Sequence, residues 1–258
     1  MELISGDGFA FTRRQLTSSI CFERPSVMPD QYVWLVWSSA FLLPWLGAYV
    51  AFPRHRKAMV WASPMAAPLG LTEPLFVPHY WNPPSLFDLA RRSGFDIESV
   101  IFSFAIGGMG AVLYNLLAGR ALLPVSAADR HSPRHKMHYW ALATPFLSFP
   151  LLYLFRWNPI YPAIVAITLG AAATMLCRLD LVRKTWIGAL LFLAYYSVFL
   201  LGLEWTAPGY IGRVWNLGAL SGLNVLGMPL EELLFAAAFG AYWSGVYDHF
   251  TWKTLSPQ

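Results

Sequence analysis

Of the 258 residues, 57% are hydrophobic and only 12% are charged, and the mean hydropathy is +0.47. That balance excludes an ordinary soluble domain and places the chain in the membrane class. The net charge of +4 reads as loop topology and attraction to anionic lipid, so nucleic acid is excluded as a partner.

Residues 1–27 hold Glu2, Asp7 and scattered Gly and Ser, without the apolar stretch that a signal peptide needs. Met28-Pro29-Asp30 leads straight into the first apolar run, so residues 1–27 are read as an extension and Met28 as the native start. Apolar runs follow at 31–52, 58–72, 98–118, 138–155, 160–177, 185–203 and 229–247. Most approach the roughly 20 residues that cross a bilayer core. The second is short and contains Pro64 and Pro68, which predicts a kinked segment tucked between other helices. The expected fold is therefore an all-α membrane protein, a bundle of seven helices.

With seven spans, 11 of the 18 basic residues fall on one side, among them Arg54, Arg56, Lys57, Arg178, Arg183 and Lys184. The remaining seven, Arg91, Arg92, Arg156 and Arg213 included, fall on the other. The positive-inside rule then sets the N-terminus outside and the C-terminus in the cytoplasm of the cell (inner) membrane. Without residues 1–27 the bias sharpens to 11 against four. The two cysteines, Cys21 before the first run and Cys177 near the inner end of the fifth, are badly placed for a bridge. His131, His135 and His138 have ligand-like spacing, but they lie in a basic loop with Pro133, and no metal is assigned to them.

Four landmarks recur in the same order. Arg56-Lys57 returns as Arg183-Lys184, Glu73 as Glu204 and Trp81-Asn82 as Trp215-Asn216. Ile97-Glu98, with Phe102, Gly107 and Tyr114, returns as Leu230-Glu231, with Phe235, Gly240 and Tyr247. The separations are 127, 131, 134 and 133 residues. Such regularity reads as an internal repeat of two three-span units. The first occupies 28–120, a basic loop and linking span occupy 121–157, and the second unit occupies 158–258. The linking span restores direction, so the units are expected to be parallel. Glu73, Glu98, Glu204, Glu231 and Glu232 then gather near the same, outer, face.

The most informative segment is Pro229-Leu230-Glu231-Glu232, with a worn copy at Asp96-Ile97-Glu98-Ser99. Pro followed by Glu also marks an ordinary helix start, since Pro lacks an N–H that would be orphaned there and Glu complements the dipole. Recurrence in both units and the second acid favour chemistry. Adjacent Glu231 and Glu232 point about 100° apart, so only one of them can face a given cavity squarely. A carboxylic acid held beside hydrocarbon is a general acid. Aromatic faces can steady a cation in a dry site, and the chain has 12 Trp, 12 Tyr and 18 Phe. Trp81, Asn82, Trp215, Asn216, Phe102 and Phe235 are the candidates for binding substrate. Glu73 and Glu204 either complete the site or cap their spans. Nucleotide-binding glycine fingerprints and a convincing nucleophile elbow are missing, and Gly107-Gly108-Met109-Gly110 reads as helix packing. Lys253 lies past the last span, which argues against a retinal Schiff base.

The segment Pro229-Leu230-Glu231-Glu232-Leu233-Leu234-Phe235, with the three-span repeat and the loop Trp, resembles the lycopene cyclase domain of the heterodimeric type, in its fused form. The resemblance covers roughly residues 31–250. It implies redox-neutral cyclisation of the linear ψ ends of lycopene into ionone rings, an isomerase-type reaction of carotenoid biosynthesis that needs no cofactor. Its implied partners are lycopene drawn from the lipid bilayer and enzymes of the carotenoid pathway. It further implies Glu231 as proton donor, Glu232 as its partner, Glu98 as the opposing carboxylate and Asp96 as a substitute acid. Asp96 stands where the motif has Pro, and Ser99 where it has an acid. That altered half keeps two other readings open: a cyclase of a longer, prenylated carotenoid, and a non-catalytic carotenoid-binding membrane protein.

Overall fold

The computed structural model describes residues 28–119 and 121–256. The expected extension at 1–27, Cys21 included, lies outside the described residues. Regular structure is almost entirely helical, as hydrocarbon demands, because a helix satisfies its own backbone donors and acceptors.

Helices α1 (Asp30–Ala40) and α2 (Leu42–Ala51) run on through Phe41 and fill the first apolar run. Helix α3 (Arg56–Ala66) continues as a 3-10 helix over Ala67–Leu75. Pro68 and Pro74 have no N–H for an α-helical ladder, so the second run cannot be one straight helix. The short α4 (Leu89–Ser93) precedes α5 (Ile97–Ala118). Strand β1 (Leu122–Pro124) and α6 (Ala127–Arg130) lead to α7 (His138–Tyr153), which packs along α8 (Ile160–Cys177). Helix α9 (Val182–Thr206) and the short α10 (Tyr210–Val214) come next. A hairpin of β2 (Asn224–Val225) and β3 (Met228–Pro229) then delivers the chain into α11 (Leu230–Phe250). Its turn, Leu226-Gly227, has φ of 54° and 85°, the paired positive values of a type I′ connection. Strand β4 (Lys253–Leu255) pairs antiparallel with β1 and ties the end of the chain to the loop after α5.

Helices thus occupy all seven predicted runs. By length and composition, four helical stretches among the described residues can cross a membrane: Asp30–Ala51, Ile97–Ala118, Ile160–Cys177 and Leu179–Thr206. Helix α7 falls short at 16 residues. Helix α11 is long enough but carries Glu231, Glu232 and Asp248.

The helices sit close where glycines allow it. A Cβ on Gly107 of α5 would lie 2.3 Å from the Cβ of Ala66 on α3, and one on Gly240 of α11 would lie 2.7 Å from the Gly188 carbonyl oxygen on α9. Overpacking of this kind costs about 1–3 kcal/mol. Gly107→Ala is therefore expected to lower the thermal midpoint of the detergent-purified protein. Gly47→Ala, where no atom lies within 4 Å of the added carbon, is the matched control and should not lower it.

Two of the residues counted above as loop charges do not face water. Lys184 is 1% exposed, and its Nζ donates to Asp248 Oδ2 at 2.5 Å. Arg178, 2% exposed, makes two bonds to Asp180 at 2.7 and 2.6 Å. Lys184 is buried together with the Asp248 carboxylate, whereas Arg178 pairs with a carboxylate that stays exposed.

Candidate functional site

A cavity of about 300 Å³ lies among α3, the 3-10 segment, α5, α7, α8, α9 and α11. Its walls are mostly aromatic and aliphatic, and two carboxylates, Glu73 and Glu232, line it. The lining reaches the outer surface at Phe146 of α7, which is 55% exposed.

Glu232 stands in the first turn of α11 and is the hub of the polar network. Its Oε1 accepts from the Tyr80 hydroxyl and from Trp215 Nε1 at 2.7 Å, and its Oε2 accepts from the Tyr196 hydroxyl at 2.5 Å. Burial, then the Glu232 charge, raises the Tyr80 phenol well above its usual range, so Tyr80 keeps the hydrogen it donates.

Glu73 stands at the end of the 3-10 segment. Its Oε2 accepts from Trp81 Nε1 at 2.9 Å, and its Oε1 lies 2.8 Å from the Ser99 hydroxyl. Burial, and then the nearby Asp96, push its carboxyl up to about 8. Ser99 Oγ is also 3.1 Å from Asp96 Oδ2. A hydroxyl has one hydrogen, so when Ser99 donates to Asp96 a protonated Glu73 donates to Ser99. Asp96, Ser99 and Glu73 thus form a continuous hydrogen-bonded chain ending at the cavity wall.

The worn motif has a local explanation in this geometry. In the repeat expected from the sequence Ser99 aligns with Glu232, and the Glu73 carboxylate lies beside Ser99. Asp96 caps α5 by accepting the Ser99 N–H at 2.5 Å, a cap that the Pro of the motif cannot provide. Burial raises the Asp96 carboxyl.

The first acids of the two motifs face elsewhere. Glu98 Oε1 accepts the Leu86 N–H at 2.7 Å; Glu231 Oε1 accepts the Ser221 N–H and the Tyr161 hydroxyl, both at 2.8 Å. Both pin the loop that precedes their own helix, and neither lines the cavity. Glu204 accepts the N–H groups of Gly209 and Ile211 and so caps α10, away from its counterpart's role at Glu73.

The two outer loops meet reciprocally. Asn82 N–H donates to the Val214 carbonyl and Asn216 N–H to the Tyr80 carbonyl, each at 2.9 Å. Trp81 and Trp215 form an antiparallel bridge with ring centroids 5.3 Å apart, and both line the cavity. The Asn82 and Asn216 side chains are exposed and do not line it. Phe102 and Phe235 do, either side of Tyr196 at 6.1 and 6.3 Å.

Sequence reasoning missed Tyr80, Tyr196 and Trp34, whose ring packs edge-on against Trp81 at 5.0 Å. A signal existed for Tyr196, since a hydroxyl inside an apolar helix needs a partner. None marked Tyr80 beyond its place next to Trp81.

Residues 158–250, which hold α8 through α11, match the family model described as lycopene cyclase. No curated protein and no solved structure matches the chain.

Proposed function

We propose, taking residues 158–250 as a lycopene cyclase domain, that the whole chain cyclises the ψ end groups of lycopene or a closely related carotenoid by acid–base chemistry in the Glu73/Glu232 cavity. The observation that carries this reading is the pairing of two carboxyl groups, each held by a tryptophan N–H, in an aromatic cavity. The reading covers both units of the predicted repeat, and the reciprocal Trp81/Trp215 contact supports treating them as two halves of one site.

The end group enters past Phe146 from the bilayer, while the rest of the polyene stays in lipid. At about 300 Å³ the cavity is at the small end of ligand pockets, which suits one end of a C40 chain at a time. Glu73 transfers its proton to the terminal double bond, leaving a tertiary carbocation. The neighbouring double bond of the polyene closes on that cation, forming the ring carbon–carbon bond and moving the charge into the ring. Glu232, flanked by Tyr80, Tyr196 and Trp215, steadies the cation and accepts a ring proton, and the electrons of the broken C–H bond become the ring double bond. One proton enters and one leaves, so the product is an isomer and no electrons are exchanged. Asp96 and Ser99 return a proton to Glu73 between turnovers. Aromatic faces around a desolvated cation contribute about 2 kcal/mol each when well placed.

In this assignment Glu98 and Glu231 hold loops and position the helix starts rather than move protons. With the N-terminus outside, as the basic residues suggest, the proton chain lies near the outer face, with Asp96 and Ser99 buried. The carboxylate that Glu73 supplies beside Ser99 speaks against a non-catalytic carotenoid binder.

Expression of the full chain in a lycopene-accumulating bacterial host, with the pigments separated by chromatography, is expected to give monocyclic or bicyclic carotenoids. Unchanged lycopene in cells with abundant membrane-inserted protein would refute the proposal. A second test uses pH. Glu73 carries its proton below about 8 and loses it above, so conversion in isolated membranes should hold steady through neutral pH and fall as pH rises through about 8. A rate that increases across that interval would remove Glu73 as the donor.

A further inference from the structure

We infer that the chain binds one zinc-class divalent cation at the membrane end opposite the carboxylate cavity, through His135, His138 and Cys177. Their ligand atoms all lie within 4.8 Å of one another, although the residues come from separate places in the chain. His135 belongs to the turn before α7, His138 is the first residue of α7, and Cys177 is the last residue of α8.

The two separations from the sulfur fit tetrahedral coordination. Bonds of about 2.3 Å to sulfur and about 2.0–2.1 Å to nitrogen at the tetrahedral angle put N and S about 3.5 Å apart. His135 Nδ1 and His138 Nδ1 lie 3.4 and 3.6 Å from Cys177 Sγ. The tautomer of His138 suits a ligand as well. Its Nε2 lies 2.9 Å from the His249 carbonyl oxygen, so the ring's proton belongs on Nε2 and the Nδ1 lone pair points toward the thiol. A metal-bound histidine typically donates its other nitrogen's proton to a carbonyl in this way. The ring is further fixed by stacking on Trp252 at 3.8 Å and on His249 at 4.0 Å.

Binding exchanges the thiol proton for the metal: the S–H bond breaks, a metal–sulfur bond forms and one proton leaves to water. The nearby Arg178 charge is balanced by its two bonds to Asp180. Two nitrogens and one thiolate favour zinc over hard cations such as magnesium or calcium, and the fourth position takes a water molecule. The site would clamp the start of α7 to the end of α8. It uses no group of the proposed reaction, so its test stands apart from that reading.

The test uses the full chain with Cys21→Ala, purified in detergent without a polyhistidine tag, stripped by a chelator and titrated with Co(II) as probe. One equivalent is expected to bind, with a thiolate-to-cobalt charge-transfer absorption that Zn(II) then abolishes. Cys177→Ala should remove that absorption. His135→Gln, at a half-buried position and therefore the safer variant for folding, should weaken binding at least tenfold. No charge-transfer absorption in the parent protein, or the same absorption and affinity in His135→Gln, would overturn the inference.

Discussion

Glu232→Gln is expected to lower lycopene conversion by about 10²–10⁴-fold, the usual contribution of one acid–base group, while the protein still reaches the membrane. The amide has nearly the same volume, so the walls of the cavity stay in place. What changes is the chemistry at the hub. Three donors, Tyr80, Tyr196 and Trp215, now converge on Glu232, and an amide NH₂ in place of one oxygen cannot accept any of them. It can neither take the ring proton nor steady a cation. Glu231→Gln is the informative neighbour. Glu231 holds the Ser221 N–H and the Tyr161 hydroxyl outside the cavity, so its variant should keep most of the conversion and lose stability instead. Pigment analysis checks the first effect, and the thermal midpoint in detergent checks the second. If Glu231→Gln abolishes conversion and Glu232→Gln does not, the two roles are the reverse of those assigned.

Glu73→Gln should be nearly as damaging, because it removes the proton that starts the reaction. A sharper consequence follows from the contact between Glu73 and Ser99. In the expected repeat Ser99 aligns with Glu232, so a carboxylate placed at position 99 comes from the adjacent helix into the space that Glu73 serves. The double variant Glu73→Gln with Ser99→Glu should regain part of the conversion lost in Glu73→Gln alone. A purely structural Glu73 would not be rescued in this way. Conversion measured in the parent, the single variant and the double variant separates the two cases.

Much of the fold was legible because the bilayer imposes it. Apolar runs of near-spanning length have few options other than helices, and helices occupy all seven runs. The second run shows the limit: its prolines announced a break, but the switch to a 3-10 helix at Ala67 that carries Glu73 to the cavity depends on packing against α5. Lys184 looked like a loop charge for the same reason, since its partner Asp248 lies 64 residues away on α11. Composition and repetition pointed to the end of the molecule where the cavity lies and to the Trp81/Trp215 pair. They did not decide between Glu231 and Glu232, and the resemblance named Glu231 as the donor. Neighbours 100° apart on a helix are equivalent until the surrounding helices fix which face is inward. The hairpin before α11 and the loop around Ser221 do that, and neither is visible as a pattern of residue types. The His135/His138/Cys177 cluster was hidden similarly: the histidine spacing is legible, but Cys177 is 39 residues from His138, and the docking of α7 on α8 brings them together.

Ring closure started by a proton from a carboxyl group leaves a direct label. Membranes containing the full chain are supplied with unlabelled, preformed lycopene in heavy water. Acid-initiated closure adds a hydrogen from a carboxyl group that exchanges with solvent, so each ring formed should carry one carbon-bound deuterium, located by mass spectrometry and NMR at the carbon that was protonated. Cyclic product without deuterium in the ring would contradict the mechanism.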